Sequence, residues 1–492
     1  MCGCIIIGGI NMNEKEIFSL LNLIVDDHTH IDKVVSNGSS KSVYISRDPI
    51  PTYCPTCGMR MHSKGIYTRK VNHQILQDTT HLFLYVRQRR WVCPHCSEAF
   101  NDSFPFLNRY SHCTNLLPLL VLESMRDLNA STAAIARRFN LSDTQVHNIF
   151  SAYVDLKRLP LPEILCVDEV YMNISEKEKY ALILMDFETG EIIDILHNRW
   201  KNTAEKYFRS IPYHERKKVK YIISDGYQTY IDFPKEYFPN ALSIIDSFHV
   251  TKYLINLLNI YLNKLMKKYQ ELDNAKLLEK NYKTNSDNKT IKDSIEVILL
   301  RTYRWLLLKN YDDINYSHKR YYQKGLKMNL DTYDLEKMFF SLDSNLLPLR
   351  DLKEKYITFS HSFFDDCNNA SVELDKLIKE YEASDYRIFK DFASFLKRYH
   401  DEIIRSFTVR KVARKTANDQ EKLISRLSNG PMESFNRKPK DYKRNSRGFS
   451  NFDYTRNRIL WATRKKPSIL ANPKSSTQIH SYEGKKRGAY KK

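Results

Sequence analysis

The chain has 492 residues, which at roughly 150 residues per domain suggests about three domains. Lysine and arginine number 78 against 58 aspartates and glutamates, for a net charge of +20, and 42% of the residues are hydrophobic. A chain this apolar is not wholly disordered, one this basic points first to nucleic acid, and the lack of any run of about 18 apolar residues excludes a membrane-spanning helix.

The opening Met1–Ile10 is apolar, but it has no basic flank and is too short for a secretory signal. Met12 directly precedes a good helix start, so the first eleven residues read as a non-native leader and either Met1 or Met12 is the start. A helix is expected over 13–24, which gives an N-terminal segment of 1–40. The nine cysteines include two tight pairs, Cys54-Pro-Thr-Cys57 and Cys93-Pro-His-Cys96, with 35 residues between them. Two such pairs place four thiolates around one tetrahedral ion and leave no open position, which suits structural Zn²⁺ in a reducing compartment; four buried free thiols are the alternative. The alternating β-branched and aromatic residues between the pairs predict two or three strands, so residues 41–108 read as a zinc ribbon. His62, His81 and His95 read as surface residues. Arg87, Arg89, Arg90 and Trp91 form a basic strand suited to phosphates.

Residues 109–158 read as a helix-turn-helix domain. Ser131 caps a first helix that buries Ala134, Ile135 and Phe139; Asn140-Leu141-Ser142 is the turn; Asp143 opens a recognition helix that carries Gln145, His147 and Asn148 outward. An ordinary helical hairpin is the rival reading. From Ile164 the pattern predicts three meandering strands, then helix, strand, helix, strand, a mixed α/β sheet. A helical stretch follows over about 250–420. The fold class is thus multidomain α/β plus α, with residues 159–466 as the α/β domain and 467–492 as a basic disordered tail.

Within that domain Asp168, Asp225 and Asp246 each end an apolar strand, with His249 three residues after the last. One strand-end aspartate is often a helix cap, but three on one sheet converge into a hard-oxygen site of the kind Mg²⁺ prefers. A fourth carboxylate comes far down the chain, in Ser428-Asn-Gly-Pro-Met-Glu433-Ser-Phe-Asn436, where Pro431 suits a helix first turn. From Arg437 to Lys466 there are eleven lysines and arginines against Asp441 and Asp453. Arg437, Lys438, Lys443, Arg444 and Arg447 are the candidate DNA contacts there, although such a run is as often a solvated face.

The order of zinc ribbon, helix-turn-helix, VDEV, SDGY, DSFHV and NGPMESFN…KR…GFSNFDYTRNRIL resembles the DDE transposases of the ISL-three group of bacterial insertion sequences, from about Cys54 to Trp461. The resemblance implies an RNase H-like core in which two aspartates and a glutamate hold divalent metal, Mg²⁺ or Mn²⁺. Matched by motif, these are Asp168, Asp225 and Glu433. Asp246 and His249 match an accessory motif, and Asp246 is the rival for the second catalytic position. The helical stretch becomes an insertion between the last strand and the glutamate helix. Pro439 falls where the family continues the helix with an apolar residue, and proline in a helix interior costs about 3 kcal/mol.

The implied function is a transposase that binds insertion-sequence ends and carries out metal-dependent DNA cleavage and strand transfer. Its partners are double-stranded DNA, as terminal inverted repeats and target, and further copies of itself on that DNA, in the bacterial cytoplasm at the nucleoid. A sequence-specific zinc and helix-turn-helix regulator, or an RNase H-like nuclease without strand transfer, are the rivals.

Overall fold

The computed structural model describes residues 5–7, 10–77, 80–108, 111–175, 177–284, 293–415, 421–445 and 451–479. Arg447, the start of the GFSN motif and the tail from 480 onward lie outside them. The chain divides into two compact units: Met1–Arg158 with Tyr171–Lys179 and Arg437–Lys492, and Leu159–Val170 with Tyr180–Asn436. Among the described residues no helix is long and apolar enough to cross a membrane.

In the first unit a short antiparallel pair, Ile5–Ile7 with Ile10–Met12, precedes the helix Glu14–Leu20, which is capped reciprocally by Asn13 and Glu16. A sheet follows in the order Thr29–Asn37, Ser40–Arg47, Thr80–Val92, His62–Gln77, with Ala99–Asn101 added alongside Thr80–Val92. Ile17 and Phe18 of the helix share one core with Ile31, Ile45, Val71, Leu84 and Phe104. The boundary expected at residue 41 therefore runs through a single core: the ribbon hairpin belongs to a larger sheet that also takes in Thr29–Asn37 and Ser40–Arg47 from before it and Ala99–Asn101 from after it.

Three helices come next: Leu116–Ser124, Thr132–Phe139 and Asp143–Tyr153. The C-terminal helix Phe452–Thr463 returns to them. Trp461 Nε1 donates to Leu122 O at 2.8 Å, and the buried Arg458 donates through Nη2 to Asp127 O at 2.7 Å and through Nη1 to Met125 O. Leu470 N donates to Tyr153 O at 2.8 Å and Lys474 N to Ala152 O at 2.9 Å. Two expectations are corrected here. Residues 437–466 pack with the helix-turn-helix unit, not the α/β unit, and the tail is ordered to at least the short helix Ser476–Ile479.

The second unit is built on five strands: β1 (Ile164–Tyr171), β2 (Tyr180–Asp186), β3 (Ile192–Leu196), β4 (Tyr221–Ser224) and β5 (Leu242–Ile245). They lie in the order β3-β2-β1-β4-β5, with β3 antiparallel to β2 and β4 parallel to both β1 and β5. Runs such as Tyr180–Asp186 are apolar at nearly every position because helices cover them, and Phe208 and Phe233 from the helices Lys201–Ser210 and Gln228–Tyr237 pack into the same core as Leu165, Val167 and Ile222.

After β5 the chain enters the 38-residue helix Ser247–Thr284 and then a group of helices that includes Leu346–Ser362, Cys367–Ala383 and Arg387–Arg398. The insertion is not wholly helical: Tyr321–Gln323 pairs with Met328–Leu330, and Val409–Lys415 with Glu421–Arg426. Its core includes Ile231 and Ile245 of the α/β layer, so sheet and insertion are continuous. The second hairpin leads straight into the helix Gly430–Phe435 that carries Glu433.

Candidate active site

The parallel register assembles the strand-end acids. Cys166, Ile223 and Ile244 stand side by side across β1, β4 and β5, and Asp168, Asp225 and Asp246 each lie two residues further along. Asp225 and Asp246 therefore sit just past the carboxyl ends of β4 and β5, where open α/β sheets bind ligands. Asp168 lies level with them, though inside the longer β1 and three residues before its end, not at a strand end as expected. Gly226 has φ +84°, in the left-handed region that glycine adopts without strain, and gives the chain its sharp exit after Asp225.

Asp168 is buried; its Oδ1 accepts from Glu169 N at 2.7 Å and its Oδ2 from Asn436 Nδ2 at 2.8 Å. Burial pushes this carboxyl up to about 7 from the ordinary 3.8; the Glu169 amide and Asn436 oppose the shift, and the negative charges of Asp225 and Glu169 reinforce it. Glu169, the other half of the DE pair, is committed elsewhere: Arg199 Nη1 lies 2.5 and 2.6 Å from its two oxygens, and the Tyr230 hydroxyl donates to it at 3.2 Å. Asp225 is partly exposed and accepts from Tyr227 N at 3.0 Å.

Asp246 is almost wholly buried. Its Oδ1 accepts from Asn429 N at 3.1 Å, and its Oδ2 has no hydrogen-bond partner among the described residues. Burial raises its pKa, while the Asn429 amide and His249 work against the rise. His249 Nε2 stands 3.7 Å from Glu433 Oε1. Asp246, His249 and Glu433 offer ligand atoms within 4.8 Å of one another, a donor set with an orphaned buried oxygen that fits a divalent cation. Among the described residues Asp168, Asp225 and Glu433 form no such group of three. Glu433 is brought to the DxFHV pair, and Asp168 is tied to Asn436, one turn beyond Glu433.

Sequence reasoning missed the two asparagines. Asn429, Glu433 and Asn436 follow an i, i+4, i+7 spacing that places them on one helix face, and that periodicity was the available signal. Pro439 does no harm. The helix stops at Phe435, turns at Asn436 and resumes over Arg437–Asn445, so the proline falls in the first turn of a new helix, where its missing N–H costs nothing. In that helix Arg437, Lys438 and Arg444 are exposed, Arg444 lies 3.3 Å from Asp441, and Lys443 sits 4.6 Å above the Tyr171 ring.

The four cysteines also converge. Sγ of Cys54 lies 3.4 Å from that of Cys96, Cys57 is 3.4 Å from Cys93, and Cys57 is 3.6 Å from Cys96. A tetrahedral ion with metal–sulfur bonds near 2.3 Å needs sulfurs about 3.8 Å apart, so the set could hold one metal. Both knuckles close alike: Gly58 N bonds Cys54 O at 2.9 Å, Ser97 N bonds Cys93 O at 3.1 Å, and Gly58 and Ser97 both have positive φ. Beside them Arg87 lies 3.6 Å from Asp32, Arg89 donates to Ser63 Oγ and Arg90 is exposed.

The helix-turn-helix forms as its sequence requires. Ser131 caps the first helix, Asn140 takes φ 51° in the turn, and Ser142 caps the second. Ile135 and Phe139 are buried, with Ala136 in place of the expected Ala134. Gln145 and His147 are exposed and Asn148 half-exposed, but the first two also have local partners: Gln145 Oε1 accepts from Ser142 N at 2.8 Å, and His147 stacks on Tyr454 with ring centres 3.8 Å apart.

Comparison with known proteins agrees with this layout. Residues 103–154 match the helix-turn-helix domain of transposase family ISL3. The transposase for insertion sequence element IS1001 of Bordetella parapertussis is 22% identical over 287 residues, a stretch that covers 56% of this chain and spans 64% of that relative. Residues 165–459 match the DDE domain family of ISL3, described as Transposase, and over that length the chain belongs to the ISL3 transposase family.

Proposed function

We propose that this chain is a DDE transposase that recognises the ends of an insertion sequence and breaks and joins DNA there with divalent metal. The observation that carries the reading is the alignment of Asp168, Asp225 and Asp246 at one level across β1, β4 and β5, with Glu433 brought to Asp246 and His249 by its own helix. A meander of three strands followed by two strands parallel to the first supports an RNase H-like core. Asp168, Asp225 and Glu433 would be the catalytic ligands, with Asp246 and His249 as accessory groups. Mg²⁺ or Mn²⁺ bound there would neutralise charge on the attacked phosphate and on the attacking and leaving oxygens. The residues supply position: Asp168 is fixed through both oxygens, and Glu433 is held beside His249. The exposed Gln145, His147 and Asn148 suit contacts with base edges of double-stranded terminal repeats, and the basic run from Arg437 suits phosphates. Cleavage at both ends would call for more than one copy on the DNA, in the bacterial cytoplasm.

The test uses two substrates. With Mg²⁺ the purified protein should nick DNA carrying its own terminal repeats, and it should join a pre-cleaved end to target DNA. Nicking without joining would make it a nuclease, and neither activity, with specific binding intact, would make it a regulator.

Zn²⁺ is the ion we assign to Cys54, Cys57, Cys93 and Cys96. Metal analysis should find about one zinc per chain, and Cys93→Ser should lose it together with the local fold, because binding energy at such a site is folding energy. Unchanged zinc in that variant would refute the assignment.

A further inference from the structure

We infer that Asn436 is a positioning residue for the acidic site: its side-chain amide fixes Asp168 in its working orientation and ties β1 to the helix of Glu433. This rests on the reading that Asp168, Asp225 and Glu433 hold divalent metal.

Glu433 comes far along the chain from the sheet it must serve, so something has to dock its helix. Two buried asparagines on the Glu433 face do so. Asn429, at 0% exposure, donates through Nδ2 to Val167 O of β1 at 3.4 Å and through its backbone N to Asp246 Oδ1 at 3.1 Å. Asn436, at 8% exposure, donates through Nδ2 to Asp168 Oδ2 at 2.8 Å. The first contact holds helix to strand backbone, whereas the second falls on the carboxylate itself.

The chemistry of the donor matters. Each carboxylate oxygen carries two lone-pair sites, so one amide bond at Oδ2 and one at Oδ1 orient Asp168 and still leave acceptor capacity for a cation. A neutral amide also brings no positive charge of its own to compete with a bound cation. The adjacent Glu169 shows the other choice: paired with the Arg199 guanidinium at 2.5 and 2.6 Å, its charge is already compensated. Two neighbouring carboxylates are thus sorted by their partners, one paired with a cationic side chain and one held still by neutral donors.

The experiment measures Mn²⁺ binding to the full-length, zinc-loaded protein by the electron paramagnetic resonance of free Mn²⁺, alongside the Mn²⁺ dependence of end cleavage. Partners behind a metal ligand typically contribute 10–100-fold in affinity. Asn436→Ala should therefore raise the Mn²⁺ half-saturation by about tenfold or more, with cleavage recovering at saturating Mn²⁺ and binding to DNA ends unchanged. Asn436→Leu, which fills the space without donating, should show the same shift and so exclude a cavity effect. Half-saturation within about twofold of the parent in both variants would overturn the proposal. So would a loss of cleavage that no Mn²⁺ concentration restores, since that marks a structural role. Asp168→Asn, measured in parallel, should bind no Mn²⁺ at this site; if it binds like the parent, the metal-site reading has failed and the role of Asn436 falls with it.

Discussion

Asp168→Asn is expected to lower Mg²⁺-dependent cleavage and joining on the order of a thousandfold or more, while end binding persists and the metal-free protein becomes more stable at neutral pH. The substitution keeps the shape of the side chain but only one of its two acceptor oxygens, so either Glu169 N or Asn436 Nδ2 gives up its bond, and it removes the charge a cation needs. The stability gain follows from burial. The folded Asp168 carboxyl is pushed up to about 7 from the ordinary 3.8, so the unfolded chain gives up this proton at lower pH than the folded one. As pH rises from about 4 to about 7 the parent should lose stability relative to the asparagine variant, and above that the difference should level off. Thermal melts across this range without metal check the sign; a variant that melts lower than the parent at pH 7 would show that the Asp168 carboxylate stabilises the fold. Asp225→Asn and Glu433→Gln should match the loss of activity. Asp246→Asn is the discriminating comparison, because Asp246 Oδ1 already receives the amide at the head of the Glu433 helix. Asparagine preserves that bond, so a purely anchoring Asp246 tolerates the change. If Asp246→Asn abolishes Mn²⁺ binding while Asp225→Asn does not, the second metal ligand is Asp246.

Local features were legible because they rest on short-range chemistry. The Ser131 cap and the turn at Asn140–Ser142 of the helix-turn-helix fell where the sequence put them, and so did the paired cysteines and the succession of strands and helices in the α/β unit. Strand-end aspartates stood out because a charge closing an apolar run asks for a partner. Partners distant in sequence were not legible. Nothing near Glu169 announces Arg199, and nothing near His147 announces Tyr454. The grouping of Glu433 with Asp246 and His249, more closely than with Asp168 and Asp225, depends on how the Gly430–Phe435 helix docks. That docking is set by two asparagines that read as ordinary polar residues. The run of cations after Asn436 misled in another way. By composition it is one basic face, yet Arg458 and Arg464 are buried and bonded to backbone carbonyls, while Arg437 and Lys438 are exposed.

Arg458→Met should destabilise the helix-turn-helix unit by about 2–6 kcal/mol and weaken end binding, although it lies some 300 residues beyond the recognition helix. The side chain is 2% exposed, and its guanidinium donates to Met125 O and Asp127 O, the carbonyls just after the Leu116–Ser124 helix. Methionine matches the length of the stem and fills much of the volume, so the loss reports the polar contacts of the guanidinium, its hydrogen bonds together with its stacking 5.5 Å over the Tyr442 ring. Two buried carbonyls lose a charged donor, and each unmade bond of that kind costs about 1–3 kcal/mol. Arg458→Lys should fall between the two, because a single ammonium cannot reproduce the planar fork that serves both carbonyls. The effect should stay within its unit: Asp168, Asp246 and Glu433 belong to the other one, so Mn²⁺ binding at the acids should be unchanged where end binding is lost. Thermal melts and end-binding titrations of the full-length variants check this. A variant that melts and binds ends like the parent would mean that the Phe452–Thr463 helix only rests on the DNA-binding unit. The expected loss would mean that the recognition helix is built from both ends of the chain, and that C-terminal truncation removes DNA recognition even with every helix-turn-helix residue in place.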